Sequence, residues 1–179
     1  EAHEIEALRQ RLASDYGVKV IYDGADMSQG ADIARMMIEV ANKTGGLDIV
    51  VNNAGIQHVS PVEDFPEPKW DAIIAINLSA TFHAVHAALP AMKQKKWGRI
   101  INVASTHGLV ASAHKVAYVA AKHGVLGLTK TAALEYAGDK IRVNAVCPGY
   151  IETKMTEDTR RRRGAELIAK IPVSRMGQP

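Results

Sequence analysis

The chain has 179 residues, 47% of them apolar, and a formal net charge of +3. That is enough apolar side chain for one buried core, without the basic excess of a nucleic-acid binder. A single cysteine, Cys147, excludes a disulfide framework. The longest uncharged apolar runs fall short of a membrane span and no signal-peptide pattern is present, so the expected location is the reducing cytoplasm, away from membranes.

The first element is a helix already under way: Ile5, Leu8 and Leu12 recur at helical spacing, and Gly17 supplies the stop. Residues 18–22 read as a buried strand ending in Asp23-Gly24-Ala25-Asp26. Ser28 or Asp32 is placed to cap the next helix, whose stripe is Ile33, Met36, Met37 and Val40 and whose end is Gly45-Gly46. Residues 47–51 form a second strand, apolar on both faces as a central parallel strand is. Pro66 and Pro68 precede a long helix over 69–95, in which Pro90 predicts a kink or interruption. Gly98 leads into the apolar run Ile100-Ile101-Asn102-Val103, which breaks at Ala104-Ser105-Thr106. A polar loop follows, then an Ala-rich helix that carries Tyr118 and Lys122 and closes near Gly138. Residues 141–147 are a further strand, with Cys147 inside it as a buried inert thiol, and a last helix covers 156–169.

Strand and helix therefore alternate, with crossovers suited to right-handed βαβ units and a parallel sheet. No internal repeat, low-complexity linker or composition break divides the chain, so residues 1–179 read as one domain. In such sheets ligands lie beyond the carboxyl ends of the strands. Asn53, Ser105 and Pro148 each follow a strand end, so the three converge on one rim.

Tyr118 and Lys122 stand four apart on a helix and share a face, roughly 6 Å from each other. An ammonium at that distance favours the phenolate and lowers a phenol pKa that is ordinarily about 10. A tyrosine adjusted in this way can exchange a proton near neutral pH, as general acid–base work requires. Ser105 offers a hydroxyl to the same region. The plain alternative is an exposed helix pair.

Ser105, Tyr118 thirteen residues later, Lys122, Asn52-Asn53-Ala54-Gly55, Asn77 in Ile76-Asn77-Leu78-Ser79, and Pro148-Gly149 occur here in an order that resembles the short-chain dehydrogenase/reductase family over nearly the whole chain. The resemblance implies an α/β, Rossmann-like doubly wound parallel sheet and hydride transfer with a nicotinamide cofactor. That cofactor is NAD, with NADP not excluded. Tyr118 is then the acid–base residue, Lys122 its neighbour reaching the nicotinamide ribose, Ser105 the hydrogen-bond partner of the substrate oxygen, and Asn77 the holder of a water in the proton relay. Asn77 reads otherwise as a polar residue at a helix kink. Asp26 and Asn53-Ala54-Gly55 match positions on the adenine side of the dinucleotide, Asn53 also bracing neighbouring strands. Pro148, Gly149, Ile151 and Thr153 match the segment along the nicotinamide carboxamide.

The family also begins with a strand and a glycine-rich turn that seats the pyrophosphate on a helix N-terminus. Gly24, Gly30, Gly45 and Gly46 do not form that turn. The sequence reads as the central, partial piece of a longer dinucleotide-binding and catalytic domain, its sheet incomplete at both chain ends. The residue that decides NAD against NADP falls outside it.

Gln57, His107 and Lys115 crowd the expected pocket, and an amide, an imidazole and an ammonium together suit a small carboxylate. Singly, Gln57 and Lys115 read as solvated loop residues and His107 as a packing or capping residue. In their local context they resemble the family members that interconvert (R)-3-hydroxybutyrate and acetoacetate, a small hydroxy acid and its keto acid. After Thr153 the pattern departs: Tyr150 can serve as the aromatic over the substrate, but Thr159 stands where a glutamine is sought. The arginine run 160–163 and the ending 171–177 look more like the acyl-thioester reductases of the family, which use NADPH. Such a run is ordinarily a solvated helix face; the sharper reading is a patch for the phosphates of coenzyme A or a carrier protein. From another class, the chain reads as a noncatalytic fragment or subunit-interaction remnant.

His83 and His86 share a helix face but lack the further ligands a metal needs, so they read as helix-face or subunit-contact residues. The family resemblance implies a homotetramer built through the long helix and the Tyr118 helix, with Val125 and Leu128 as apolar outer positions.

Overall fold

The computed structural model describes residues 2–179. Helix α1 (Ala2–Tyr16) is held along its outer face by Arg9, whose guanidinium forks onto Glu6 at 2.6 and 2.8 Å, and Gly17 ends it in a left-handed turn at φ 62°. Residues 18–22 are not the buried strand their composition suggests. Val18, Ile21 and Tyr22 are exposed, and no strand pairs with them. Apolar content alone does not make a strand; a neighbour in register is needed to take its N–H and C=O groups. The segment is instead fastened at Asp23, whose carboxylate receives both guanidinium nitrogens of Arg35 and the N–H of Ala25.

Helix α2 (Gly30–Thr44) buries Ile33 and Met37 and ends at Gly45, left-handed at φ 79°. Neither Ser28 nor Asp32 caps it. Gln29 is the entry residue and makes no side-chain cap, while the Asp32 carboxylate takes the N–H of Asp26 at 3.3 Å.

Strands β1 (Ile49–Asn52), β2 (Gly98–Val103) and β3 (Ile141–Val146) pair in parallel in the order β1-β2-β3. Val50 stands opposite Ile100, and Ile100 opposite Val143. These three residues bury one face of the sheet against Ile33, Met37, Val85, Leu89 and Met92. The expectation of a two-faced β1 fails, because Ile49 and Val51 remain 58% and 56% exposed. They point away from the layer that packs on Val50 among the described residues.

Residues 67–95 are helical in three parts: α3 (Glu67–Ile74), a π-helical turn (Ala75–Ser79) and α4 (Ala80–Lys95). The irregularity lies at the π turn, where the Ala80 N–H reaches back to Ala75 O, and not at Pro90, which α4 carries within it. Pro90 is on the exposed face, so the carbonyl it frees meets water. By length and mean hydropathy (1.5) the stretch Glu67–Lys95 matches a membrane span, contrary to the sequence expectation. Within this fold α4 is a core helix: Ala80, Ala84, Val85, Ala88, Leu89 and Met92 are buried.

Helix α5 (Val116–Tyr136) packs over β3. Val125 is 1% exposed and Leu128 packs on the main core, so neither is the outer position expected of a subunit contact. Their helical phase turns them inward, and the exposed apolar side chains of this layer are Phe82 and Leu134. Cys147 falls just beyond β3 and is half-buried beside Ala104, Val125 and Leu126. A short turn (Lys154–Thr156) then leads into α6 (Glu157–Ala169), whose backbone leaves helical geometry only at Arg163. The chain finally returns to pair Gly177 with Ile151.

Candidate active site

The carboxyl ends of β1 and β2 are tied to each other and to α5 by amides. Asn52 Nδ2 donates to Asn102 Oδ1 at 2.8 Å, and Asn102 Nδ2 donates to Thr129 Oγ1 at 2.9 Å, joining β1, β2 and α5. The bracing expected of Asn53 is thus performed by its neighbour Asn52. An asparagine inside the apolar run of β2 was the available signal for Asn102, since a buried amide must find partners.

Beyond this rim opens a cavity of about 760 Å³, within the roughly 300–1,000 Å³ usual for ligand sites. Ser105, Tyr118 and Lys122 line it together, with Gln57, His107, Lys115 and Tyr150. Asn53, Ala54 and Gly55 line it too, as do Pro148, Gly149, Ile151 and Thr153. Val103, Ala104, Thr106, Lys154, Met155, Thr156 and Pro179, which were not singled out as site residues from sequence, also line it. For residues 154–156 the signal was a cation and a hydroxyl within three residues of Thr153.

Lys122 is 4% exposed, and its Nζ donates to Val103 O at 2.6 Å while standing 5.7 Å from the centroid of the Tyr118 ring. Burial holds the ammonium below its usual pKa. The Tyr118 phenol is pushed up by burial, and hydrogen bonding with Ser105 opposes the shift. This corrects the expected lowering by Lys122: removal from water disfavours the phenolate more than a cation already committed to a carbonyl favours it.

Ser105 Oγ accepts the N–H of His107 at 3.1 Å, which leaves its hydroxyl proton to serve the Tyr118 oxygen or an oxygen bound beside it. The His107 ring stands edge-on to Tyr118, at 6.3 Å and 83°, and its buried Nδ1 has no partner. Burial first, and then the charge of Lys115, lower the His107 pKa and keep the imidazole neutral. Lys115 is itself held down by burial and by Arg163.

Two expected residues are not in the cavity. Asn77, 1% exposed in the π turn, spends its amide on Ile56: Oδ1 accepts the N–H at 2.8 Å, and Nδ2 donates to the carbonyl at 2.9 Å. It supports the cavity wall from behind. Asp26 is exposed, and its carboxylate accepts the Ser28 N–H at 2.8 Å. Its neighbour Met27 lines a second cavity of about 180 Å³ that reaches Asn53 and Ala54 from the other side.

Thr159 does not line the cavity either. The arginine run is answered by acids: Arg160 by Glu152, Arg161 and Arg162 by Asp158, and Arg163 by Glu166. His83 lies against Gly30, His86 stacks on Phe82 at 5.7 Å, and no group of three or more metal-ligating side chains occurs among the described residues.

A dinucleotide fits this donor set, in which a buried ammonium, the hydroxyls of Ser105 and Tyr118 and the Asn53 amide line one cavity. A Cβ at Gly55 would stand in ordinary contact, 3.6 Å from Asn77 Oδ1 and 3.9 Å from Lys122 Nζ.

A parallel α/β sheet with a serine, a tyrosine and a lysine at its carboxyl rim defines a class, and the chain belongs to it: the short chain dehydrogenase family model matches residues 1–164. Among curated relatives, D-beta-hydroxybutyrate dehydrogenase of Cupriavidus necator is 61% identical over 155 residues, covering 86% of this chain and 60% of that protein. The enzyme of the same name from Rhizobium meliloti is 53% identical, covering 90% of this chain and 64% of that protein. The 3-oxoacyl-acyl-carrier-protein reductase FabG of Thermotoga maritima is 40% identical, covering 82% of this chain and 60% of that protein. The chain thus spans less than two thirds of the length of these relatives. A solved structure described as an NAD(P)-dependent gluconate 5-dehydrogenase from Beutenbergia cavernae, with bound NADP, superimposes at TM-score 0.92. It is 33% identical, covering 98% of this chain and 70% of that one. An NAD+-bound xylitol dehydrogenase superimposes at 0.91 with 26% identity, covering 99% of this chain and 75% of that one.

Proposed function

We propose that the protein containing residues 1–179 as its catalytic domain interconverts (R)-3-hydroxybutyrate and acetoacetate with NAD, NADP being the alternative cofactor. The observation that carries this reading is the cavity lining, which brings Lys115, Gln57 and His107, with its unpartnered buried nitrogen, into one space with Tyr118. Lys115 is half-buried and has no ion pair among the described residues, and such an ammonium is complementary to a small carboxylate. The two relatives named D-beta-hydroxybutyrate dehydrogenase support the same substrate.

When bound, the cofactor supplies the acceptor or donor of the hydride. Tyr118 Oη takes the proton of the substrate hydroxyl in oxidation and returns it to the ketone oxygen in reduction. Ser105 donates to that same oxygen as charge develops on it. The elevated Tyr118 pKa keeps the phenol protonated at neutral pH, the state keto-acid reduction requires.

The second reading, reduction of a 3-oxoacyl thioester, is favoured by the likeness to FabG and by the arginine run 160–163 and the ending 171–177. Comparing turnover of free acetoacetate with that of acetoacetyl-CoA separates the two, and activity on the thioester alone overturns the first. Lys115→Ala is expected to raise KM for acetoacetate at least tenfold, about 1.4 kcal/mol, while kcat moves much less. An unchanged KM removes Lys115 from the carboxylate site.

The cytoplasm and assembly into a homotetramer belong to this reading. Phe82, exposed on α4 beside His86, now replaces Val125 and Leu128 as the residue to test in a subunit contact.

A further inference from the structure

We propose that Lys154 is a phosphate-binding residue on the wall of the cavity, meeting the pyrophosphate of the dinucleotide; this rests on the cofactor reading above. Among the described residues the cavity wall carries Lys115, Lys122 and Lys154 and no carboxylate side chain. Two of these cations already have tasks. Lys122 Nζ is bound to Val103 O, and Lys115 stands at the His107 end. The Lys154 ammonium has no hydrogen bond or ion pair among the described residues.

Its backbone, by contrast, is fastened. Thr156 Oγ1 donates to Ile151 O at 2.5 Å and accepts the Thr153 N–H at 3.1 Å, closing a capping box around the turn Lys154–Thr156. The arginines that follow differ on both counts: each is paired with an acid, and none lines the cavity. The cation free to meet a phosphate is therefore Lys154 rather than the arginine run.

A charge left open on an ordered turn, on the wall of a cavity whose described lining carries no carboxylate side chain, selects for an anion. Lysine serves phosphate as a point charge. The substrate carboxylate is taken by Lys115. Lys154 instead follows Ile151 and Thr153, the residues along the nicotinamide, and the pyrophosphate is the next group outward from the nicotinamide ribose.

The test is a fluorescence titration of NADH into the chain and into Lys154→Ala, with melting temperatures checked to be equal. Lys154→Ala is expected to weaken NADH binding roughly 5- to 10-fold, with a difference that shrinks as salt is raised. Lys154→Arg is expected to restore it. Reduced nicotinamide riboside, which has no phosphate, is expected to bind both proteins equally. Equal NADH affinity in the two proteins, or an equal loss toward the riboside, overturns the assignment. So does a loss confined to KM for acetoacetyl-CoA, which gives the cation to the phosphates of a thioester. The same titration is made in the whole protein that contains residues 1–179; if that protein fails to bind NADH at all, the cofactor reading falls, and this proposal with it.

Discussion

Tyr118→Phe is expected to lower kcat by about 10²–10⁴-fold, the range ordinarily lost with a positioned general acid–base group. The ring and its edge contact with His107 survive, and Lys122 keeps its bond to Val103, so folding and NADH affinity are expected to change little. Only the oxygen that carries the proton is removed. Steady-state kinetics beside an NADH titration make the comparison, and a variant retaining a tenth of the parent kcat would refute the role.

The pH dependence carries a sign that follows from burial. Because the phenol pKa is raised, hydroxy-acid oxidation, which needs the phenolate, climbs as pH increases through that pKa, and keto-acid reduction falls over the same interval. Ser105 pulls the pKa down, so Ser105→Ala moves the midpoint of both limbs to higher pH. A midpoint moving toward acid would contradict the assignment.

The second large effect is expected at Asn77. Its amide makes two reciprocal bonds to the main chain of Ile56, and the side chain is buried. Asn77→Ala leaves the N–H and carbonyl of Ile56 without these partners at a buried position, at a cost of about 2–4 kcal/mol. Urea unfolding measures it. Asn53, Ala54 and Gly55 precede Ile56 on the same wall, so KM for the cofactor is expected to rise with the loss of stability. A fully stable variant with only kcat reduced would point instead to a direct part in proton transfer.

Which features could be read from residues alone depends on how local their causes are. The Tyr118 helix, the strand before Ser105 and the three motifs at strand ends follow from spacing, and they meet in one cavity. Residues 18–22 have strand composition but no pairing neighbour, and pairing is a property of two segments. The one-sided burial of β1 likewise depends on what lies beyond it. Pro90 has the stronger local signature, but its exposure makes it harmless, whereas the π turn around Asn77 has no proline or glycine to announce it. Val125 and Leu128 were turned the wrong way because an Ala-rich helix offers little contrast between its faces. The sign of the Tyr118 shift was missed because sequence gives the distance to Lys122 but not the depth of burial.

The two anchors nearest the reacting groups, Val103 O for Lys122 and the Ile56 peptide for Asn77, are main-chain atoms. Every amino acid supplies such a carbonyl, and every one but proline supplies the N–H. Evolutionary drift at positions 56 and 103 therefore leaves the machinery registered, provided the backbone path is kept. A single replacement, proline at 56, breaks the arrangement outright.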